Sequence, residues 1–497
     1  MGSMSLKGFA TELLRRGVLK AAAAYGAIAW LLLEVLSLAF QNFGAPGWVL
    51  KVLTTVFLVG FPVACLMAWG FDITSEGIRL VGFRARKPSE PVAGAAATRP
   101  EPAGPPTIAV LAFANLSADP GQEYFSDGIA EDIITDLSRV GELRVIARNS
   151  SFAYKGQAVD AKRVASELGA RYVLEGSVRK VGDRVRVTSQ LIDAATGTHV
   201  WAERYDRNLT DIFAVQDDLT LRIIEALRIR LSPEKQERLV RPSGIGLEAH
   251  NLFLRGREQA YLLTEHGNVE ARRLFARAIE LSPGFASAHA YIAFTHVDDY
   301  ILGRGEHPEE SLEKGLAAAR HGCAIDAENP DALCMMSLAL QWSRRLDESL
   351  AAIKRCLAVA PNSASGHLQL ATLFHYMGDA EESLRTLDRY FQLDPLYPDV
   401  ALYFRAEAQA ALGRYEDAVA TLEQRLARNP HSQTSHALLA SCYGHLGRME
   451  EARAAWAEVL KIEPGFSLER RRRVLPYRTP ETFERRLDGL RKAGLPV

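Results

Sequence analysis

In the second half of the chain six small residues, Ala271, Gly315, Ser349, Ser383, Ala418 and Ala452, recur, and the last four steps are 34, 34, 35 and 34 residues. Each follows another small residue, Gly256, Ala293, Ser337, Ala371, Ala406 or Ala440, which leads by twelve in the last four units. A small side chain on each of two helices lets their backbones approach closely, so this doubled spacing demands paired helices stacked in register. Pro283, Pro361, Pro395, Pro430 and Pro464 stand where the second helix of a pair must stop, and Gly378, Gly413 and Gly447 where the two helices turn. About three extra residues precede Ala271, and about ten more fall around 298–311. The pattern predicts six repeats over 247–466, followed by a basic capping segment, 467–497.

The stretches GRYEDAVATLEQRLARNP (413–430) and GRMEEARAAWAEVLKIEP (447–464) resemble the tetratricopeptide repeat. That resemblance implies a solenoid offering a long surface to a protein or peptide, with no chemistry of its own. By register the first helix of each pair lines the concave side. Trp342, His375, Tyr376, Tyr403, Glu407 and His445 are therefore the expected partner groove, an aromatic and polar set suited to a peptide, with packing of several of them against adjacent repeats as the alternative.

Two apolar stretches, about 21–40 and 48–71, each approach the ~20 residues that cross a bilayer. Lys7, Arg15, Arg16 and Lys20 flank the first, and Arg79, Arg84, Arg86 and Lys87 follow the second. Positive charge on both outer flanks predicts a two-span hairpin in a bacterial inner membrane, within residues 1–83, with the soluble part cytoplasmic. The periplasm is the alternative side, and a cleavable signal peptide the competing reading of the first stretch. Glu34 within a span pairs best with Lys51 or with a second helix. Residues 84–106, rich in Pro and Ala, read as a tether.

Between 107 and 240 the pattern alternates strand and helix. TIAVLAFAN (107–115) is a buried strand, 123–140 a helix, LRVIAR (143–148) a second strand and 160–170 a second helix. Three strands follow at 171–181, 184–197 and 198–207, the first pair joined by Gly182-Asp183, and a long helix at 209–231 closes the module. The fold class is thus multidomain: a transmembrane hairpin, an α/β module with a mixed sheet, and an all-α solenoid. The segments 108–117, YFSDGIAEDIITDLSRV (124–140), VIARNSSFAYKG (145–156), 167–180 and 190–207 resemble the TolB amino-terminal domain and the related FlgO-like domain. Proteins joining this domain to tetratricopeptide repeats are similar over nearly all of the chain, and some carry a nucleotide-cyclase or winged-helix domain besides. Membrane and tether account for 1–106 here, so neither extra domain is expected. The resemblance transfers no catalytic residues.

Candidate chemistry is sparse. Arg148, Asn149, Ser150 and Ser151 follow a strand, where α/β sheets bind ligands, and would suit a small anion or nucleotide. Turn and capping duties explain Asn149 and Ser150 equally well. Asp127 and Glu131 read as helix-end carboxylates rather than an acid/base pair. The five cysteines form no CxxC pair, so neither a metal site nor a disulfide is indicated, and no cofactor is expected. Charge is balanced, 59 Lys+Arg against 60 Asp+Glu, and the Arg470–Arg473 run reads as a solvated face, so no nucleic-acid partner is expected. The expected function is a membrane-anchored, non-enzymatic scaffold, with a ligand-sensing α/β module as the alternative. The spans and sheet edges offer surfaces for self-association.

Overall fold

The computed structural model describes residues 104–496 apart from 158–159, 234–235, 237–238, 240–243 and 306, together with Thr55 and the backbone of 71–74 and 77–80. The chain divides into two units, Met1–Glu101 and Pro102–Val497. The expected spans and nearly all of the tether lie outside the described residues, and among the described residues no helix is long and apolar enough to cross a membrane. In the first unit, strands β1 (Phe71–Thr74) and β2 (Gly77–Leu80) pair antiparallel, a hairpin not anticipated from sequence.

The second unit opens with the α/β module. Its strands are β3 (Thr107–Val110), β4 (Ala114–Asn115), β5 (Arg144–Val145), β6 (Tyr172–Val181), β7 (Arg184–Asp193) and β8 (Thr198–Asn208). The sheet order is β5-β3-β6-β7-β8, with β4 also paired to β6. Contacts of β3 with β5 and β6 are parallel, and β6-β7-β8 is an antiparallel meander. The expected mixed sheet is present. Gly182 has φ +56°, which supplies the left-handed backbone that the tight β6–β7 turn needs. Helices α1 (Glu123–Leu137), α2 (Arg148–Phe152), α3 (Ala161–Leu168) and α4 (Ile212–Ala226) complete the module. Two strand expectations contract: 107–115 breaks into β3 and β4, and 143–148 keeps only Arg144–Val145 before the chain turns into α2.

The rest is helical, in six pairs: α5 (Leu247–Ala260) with α6 (Glu265–Leu281), α7 (Ala286–Ile301) with α8 (Pro308–Ile325), and α9 (Pro330–Trp342) with α10 (Leu346–Val359). Then come α11 (Ala364–Met377) with α12 (Ala380–Leu393), α13 (Val400–Ala411) with α14 (Tyr415–Arg428), and α15 (Gln433–His445) with α16 (Met449–Ile462). Short helices α17 (Leu468–Val474) and α18 (Glu481–Lys492) end the chain. The twelve-residue rule has a visible cause. Ser349 Oγ donates to the Ser337 carbonyl at 2.7 Å and Ser383 Oγ to the Ala371 carbonyl at 2.9 Å, so at these two pairs the helix backbones come close enough for one hydroxyl to bridge them. Where the small residue is Gly256, an added Cβ would meet the Phe275 ring. Gly378, Gly413 and Gly447 take φ of +88°, +74° and +73° and end the first helix of their pairs.

One apolar core runs without interruption from the sheet into the first repeats: Ile108, Ile133, Leu174 and Leu219 share a cluster with Phe253, Leu254, Phe275 and Phe285. Gly128 on α1 faces Leu254 on α5, and a Cβ there would overlap that side chain. Cys334, Cys356 and Cys442 are buried free thiols.

Candidate functional site

Two regions hold the residues singled out from sequence. The first is the junction between the α/β module and the solenoid. Arg148 opens α2 and its Nε donates to Glu131 Oε2 at 2.8 Å, while its guanidinium lies over the rings of Phe152 and Tyr261, 4.4 and 4.7 Å from their centroids. Arg257 on α5 reaches the same carboxylate oxygen at 3.1 Å, and Tyr261 donates to Glu131 Oε1 at 2.6 Å. Burial and the adjacent Glu131 push the Tyr261 phenol well above its ordinary range. Next to Glu131, Asp132 accepts from Gln216 at 2.9 Å and lies 3.1 Å from His250 Nε2.

The neighbouring residues reach much further along the chain. Ser150 Oγ donates to Asp394 Oδ1 at 2.5 Å and accepts the Leu396 N–H at 2.8 Å. Asn149 Nδ2 donates to the Leu396 carbonyl at 2.8 Å, the Ala147 N–H donates to the Leu393 carbonyl at 2.7 Å, and Ser151 is fully buried. On the other side of this contact, Asn362 Nδ2 donates to the carbonyls of Val140 (2.8 Å) and Leu143 (2.6 Å), and its backbone N–H to the Ser138 carbonyl at 3.1 Å. Arg148, Asn149 and Ser150, expected to suit a small anion or else to serve turn and capping duties, are engaged within the chain, and Ser151 is buried beside them. Glu131 supplies the anion for Arg148, and the α12–α13 connection takes up Asn149 and Ser150. These residues fasten two modules together. Asp127 likewise lies inside α1 and pairs with Lys155 Nζ at 2.6 Å.

The second region is the face formed by α11, α13 and α15, the first helices of the last three pairs. Segment 467–497 returns across it. The Arg478 N–H donates to the Tyr376 carbonyl at 2.9 Å, and Tyr477 OH lies 3.1 Å from His375 Nε2. Arg486 forms an ion pair with Glu407 and donates to Tyr403 OH at 3.1 Å; Glu407 and Arg486 are only 4% and 5% exposed. Ser441 Oγ donates to the Arg486 carbonyl at 2.8 Å, and His445, its ring stacked on Tyr415 at 4.3 Å, meets the Arg485 carbonyl at 2.9 Å. Trp342 packs edge-on to Tyr376, with centroids 6.0 Å apart. Further back, Arg344 Nη2 donates to the Arg473 carbonyl at 2.5 Å.

The groove residues are thus gathered along one face, but they are not open to solvent as the sequence reading requires. Trp342, His375, Tyr376 and Glu407 are buried, and the chain's own tail covers His375, Tyr376, Tyr403, Glu407 and His445. Burial, reinforced by the Arg486 charge, lowers the His375 imidazole to about 3, so it is neutral at ordinary pH. Sequence reasoning missed the tail's side of this contact: Tyr477, Arg486 and Gly489. Phe483, Leu487 and Leu490 at helical spacing are the available signal. Among the described residues no group of three His, Cys, Asp or Glu converges as a metal site would require.

Comparisons with known proteins agree with this division. Residues 101–200 match the TolB amino-terminal domain, and 374–440 and 409–468 match the tetratricopeptide repeat. A protein of Rhizobium meliloti (strain 1021) named "Putative adenylate cyclase 3" is 46% identical over 268 residues, covering 54% of this chain and 45% of the relative. The chain thus spans less than half the length of that relative. Among solved structures, TTC0263, a thermophilic TPR protein in Thermus thermophilus, is 20% identical with a TM-score of 0.32, over 39% of this chain and 98% of its own. YrrB, a TPR protein with an unusual peptide-binding site, is 16% identical with a TM-score of 0.29, over 38% and 93%. The chain joins a TolB amino-terminal domain to tetratricopeptide repeats.

Proposed function

We propose that this protein is a membrane-anchored, non-enzymatic scaffold or regulatory adaptor that holds a protein partner on its solenoid, at the cytoplasmic face of a bacterial inner membrane. One observation carries the reading: the face of α11, α13 and α15 already accommodates a helical segment, fixing it with an ion pair, backbone-directed hydrogen bonds and aromatic packing. Those are the means by which a groove recognises a peptide. The apolar stretches at 21–40 and 48–71 and their basic flanks support the anchor. Proximity labelling from the full-length chain in native membranes tests the adaptor role. Specific partners are expected for the wild type and a reduced set for Glu407→Ala; identical labelling by both chains contradicts it. Reporter fusions at residue 107 test the side of the membrane.

A second reading follows from the relative named as a cyclase: the shared modules would act as the regulatory part of a nucleotide-signalling protein, with ligand sensing in the α/β module. Conversion of ATP to cyclic AMP by the purified full-length chain would favour it and overturn the non-enzymatic assignment.

A further inference from the structure

We infer that the segment 467–497 is a displaceable internal ligand, and that the external partner it stands in for presents an amphipathic helix with an arginine followed three residues later by a glycine. This deepens the adaptor reading and rests on it. The starting point is Glu407. Its carboxylate lies buried in the floor of the groove, and the cation that meets it there, Arg486, comes from the tail. The nearest repeat side chain of basic type, His375 at 3.9 Å, is held neutral by its burial. A carboxylate so placed without a cation is strongly disfavoured, so the groove demands a guanidinium from whatever lies in it. A helix that merely sealed the end of the solenoid would need only an apolar face; this one carries a charged key.

The second requirement is steric. Gly489 on α18 crosses α15 at Gly444, and a Cβ on either would run into the backbone of the other helix. Phe483, Leu487 and Leu490 then lie buried on the groove side, Glu481 and Arg491 remain exposed, and Lys492 reaches the edge of the groove at His445, 3.3 Å from its Nδ1. The remaining bonds divide between the tail's side chains and its backbone: Tyr477 meets His375, Arg478 meets Asp347, Arg485 the Ala411 carbonyl and Lys492 the His445 ring. Ser441 and His445 bond to the carbonyls of Arg486 and Arg485, and the Tyr376 carbonyl accepts the Arg478 N–H. A foreign helix with the same arginine, glycine and apolar stripe reproduces the Glu407 ion pair, the Gly444 crossing and the bonds from Ser441 and His445 to its carbonyls.

The tail is joined to α16 through Pro464-Gly465, and the bonds that tie α9 to α10 and α11 to α12 at Ser349 and Ser383 do not involve it, although its Phe483, Leu487 and Leu490 share an apolar cluster with Leu438, Tyr443 and Trp456 of the last pair. Its loss alone would uncover the apolar face of α15, whereas exchange for a partner helix covers that face again. The geometry therefore describes a swap and not an opening.

The probe is a fluorescein-labelled peptide of residues 477–493, titrated by anisotropy against the full-length chain. Wild type should bind weakly, because its own tail competes. Gly489→Val, which forces α18 off α15, should bind at least ~10-fold more tightly, the size of shift expected when an intramolecular competitor is removed. Adding Glu407→Gln should abolish that gain. Arg486→Ala, which deletes the key but not the helix, should act in the same direction if Gly489→Val loses its thermal transition. Equal affinity for wild type and both tail variants, or a gain that survives Glu407→Gln, overturns the inference. A wild-type dimer whose tails crosslink between subunits assigns the groove to a second copy and overturns it too. If the tail variants bind the peptide but label no cellular protein, the internal ligand stands and the adaptor reading fails. If partners are labelled while peptide binding is indifferent to the tail, the reverse holds.

Discussion

Replacing Asn362 with alanine should loosen the α/β module from the solenoid. The side chain is 3% exposed and donates to two carbonyls of the loop after α1, at 2.8 Å to Val140 and 2.6 Å to Leu143. Its Oδ1 also accepts from Arg389 at 3.2 Å. The losses at the two carbonyls are unequal. The Val140 carbonyl keeps the Leu143 N–H at 3.3 Å, so it loses one of two partners. Leu143 is fully buried, and its carbonyl would lose the donor that now satisfies it. An unsatisfied buried acceptor costs about 1–3 kcal/mol and an ordinary hydrogen bond contributes about 0.5–1.5, so the variant should lose roughly 2–4 kcal/mol. Urea denaturation followed by tryptophan fluorescence and by far-UV circular dichroism measures it. Trp201 reports on the α/β module, whereas Trp342 and Trp456 report on the repeats. Because one core joins the sheet to the first repeats and the Asn362 bonds tie it to the later ones, the wild type should unfold with coincident transitions, and Asn362→Ala should separate the later repeats from the module. A loss under about 0.5 kcal/mol with the transitions still coincident would refute the claim that this asparagine holds the junction.

Ser150→Ala removes a hydroxyl that serves both Asp394 and the Leu396 N–H, and should destabilise by about 1–3 kcal/mol with no effect on binding of any small anion; saturable phosphate or nucleotide binding by wild type, lost in the variant, would restore the pocket reading. Ala418→Leu inserts bulk at a fully buried contact and should cost about 1–3 kcal/mol by overpacking, visible as a lowered Tm. His375 gives a pH dependence of known sign. Its folded pKa of about 3 lies below the ordinary 6.5, so the unfolded state binds the extra proton. That contribution is complete above about 6.5 and is lost, by at most about 1.4 kcal/mol per pH unit, as pH falls toward the folded value. Denaturation midpoints at pH 7 and 5 should therefore differ less for His375→Gln than for wild type, and an equal difference contradicts the assignment.

What the sequence disclosed and what it withheld differ in range. Small residues twelve apart meet inside one helix pair, and the turn at Gly182-Asp183 joins adjacent strands, so both leave a local imprint that reads directly from spacing. Ser150 and Asp394 meet across 244 residues, and Arg486 and Glu407 belong to separate elements joined only by the returning tail. Nothing in either neighbourhood names the other. The strand expected at 143–148 ends early for a related reason. The Ala147 N–H is taken by Leu393 of the solenoid, and Arg148–Phe152 turns helical toward Glu131 and Asp394.

The two residue sets expected to receive outside ligands share a chemistry. An arginine, an asparagine and serines after a strand, or histidine and aromatics along the first helices of repeats, are what any recognition surface needs. Composition does not say whether the partner is foreign or part of the same chain. The complementary group decides it. Arg148 faces Glu131 from its own module, and Asp394 in the α12–α13 connection receives Ser150, Asn149 and the nearby Tyr390 hydroxyl. That contact ties the α/β module to the connections after α10 and α12 through buried, paired polar groups, apart from the core the module shares with the first repeats. The groove differs in one respect: its complement arrives on a segment outside the six helix pairs, so the same kind of self-recognition fastens the α/β module at Asn362 and Asp394 and would be open to competition at Glu407.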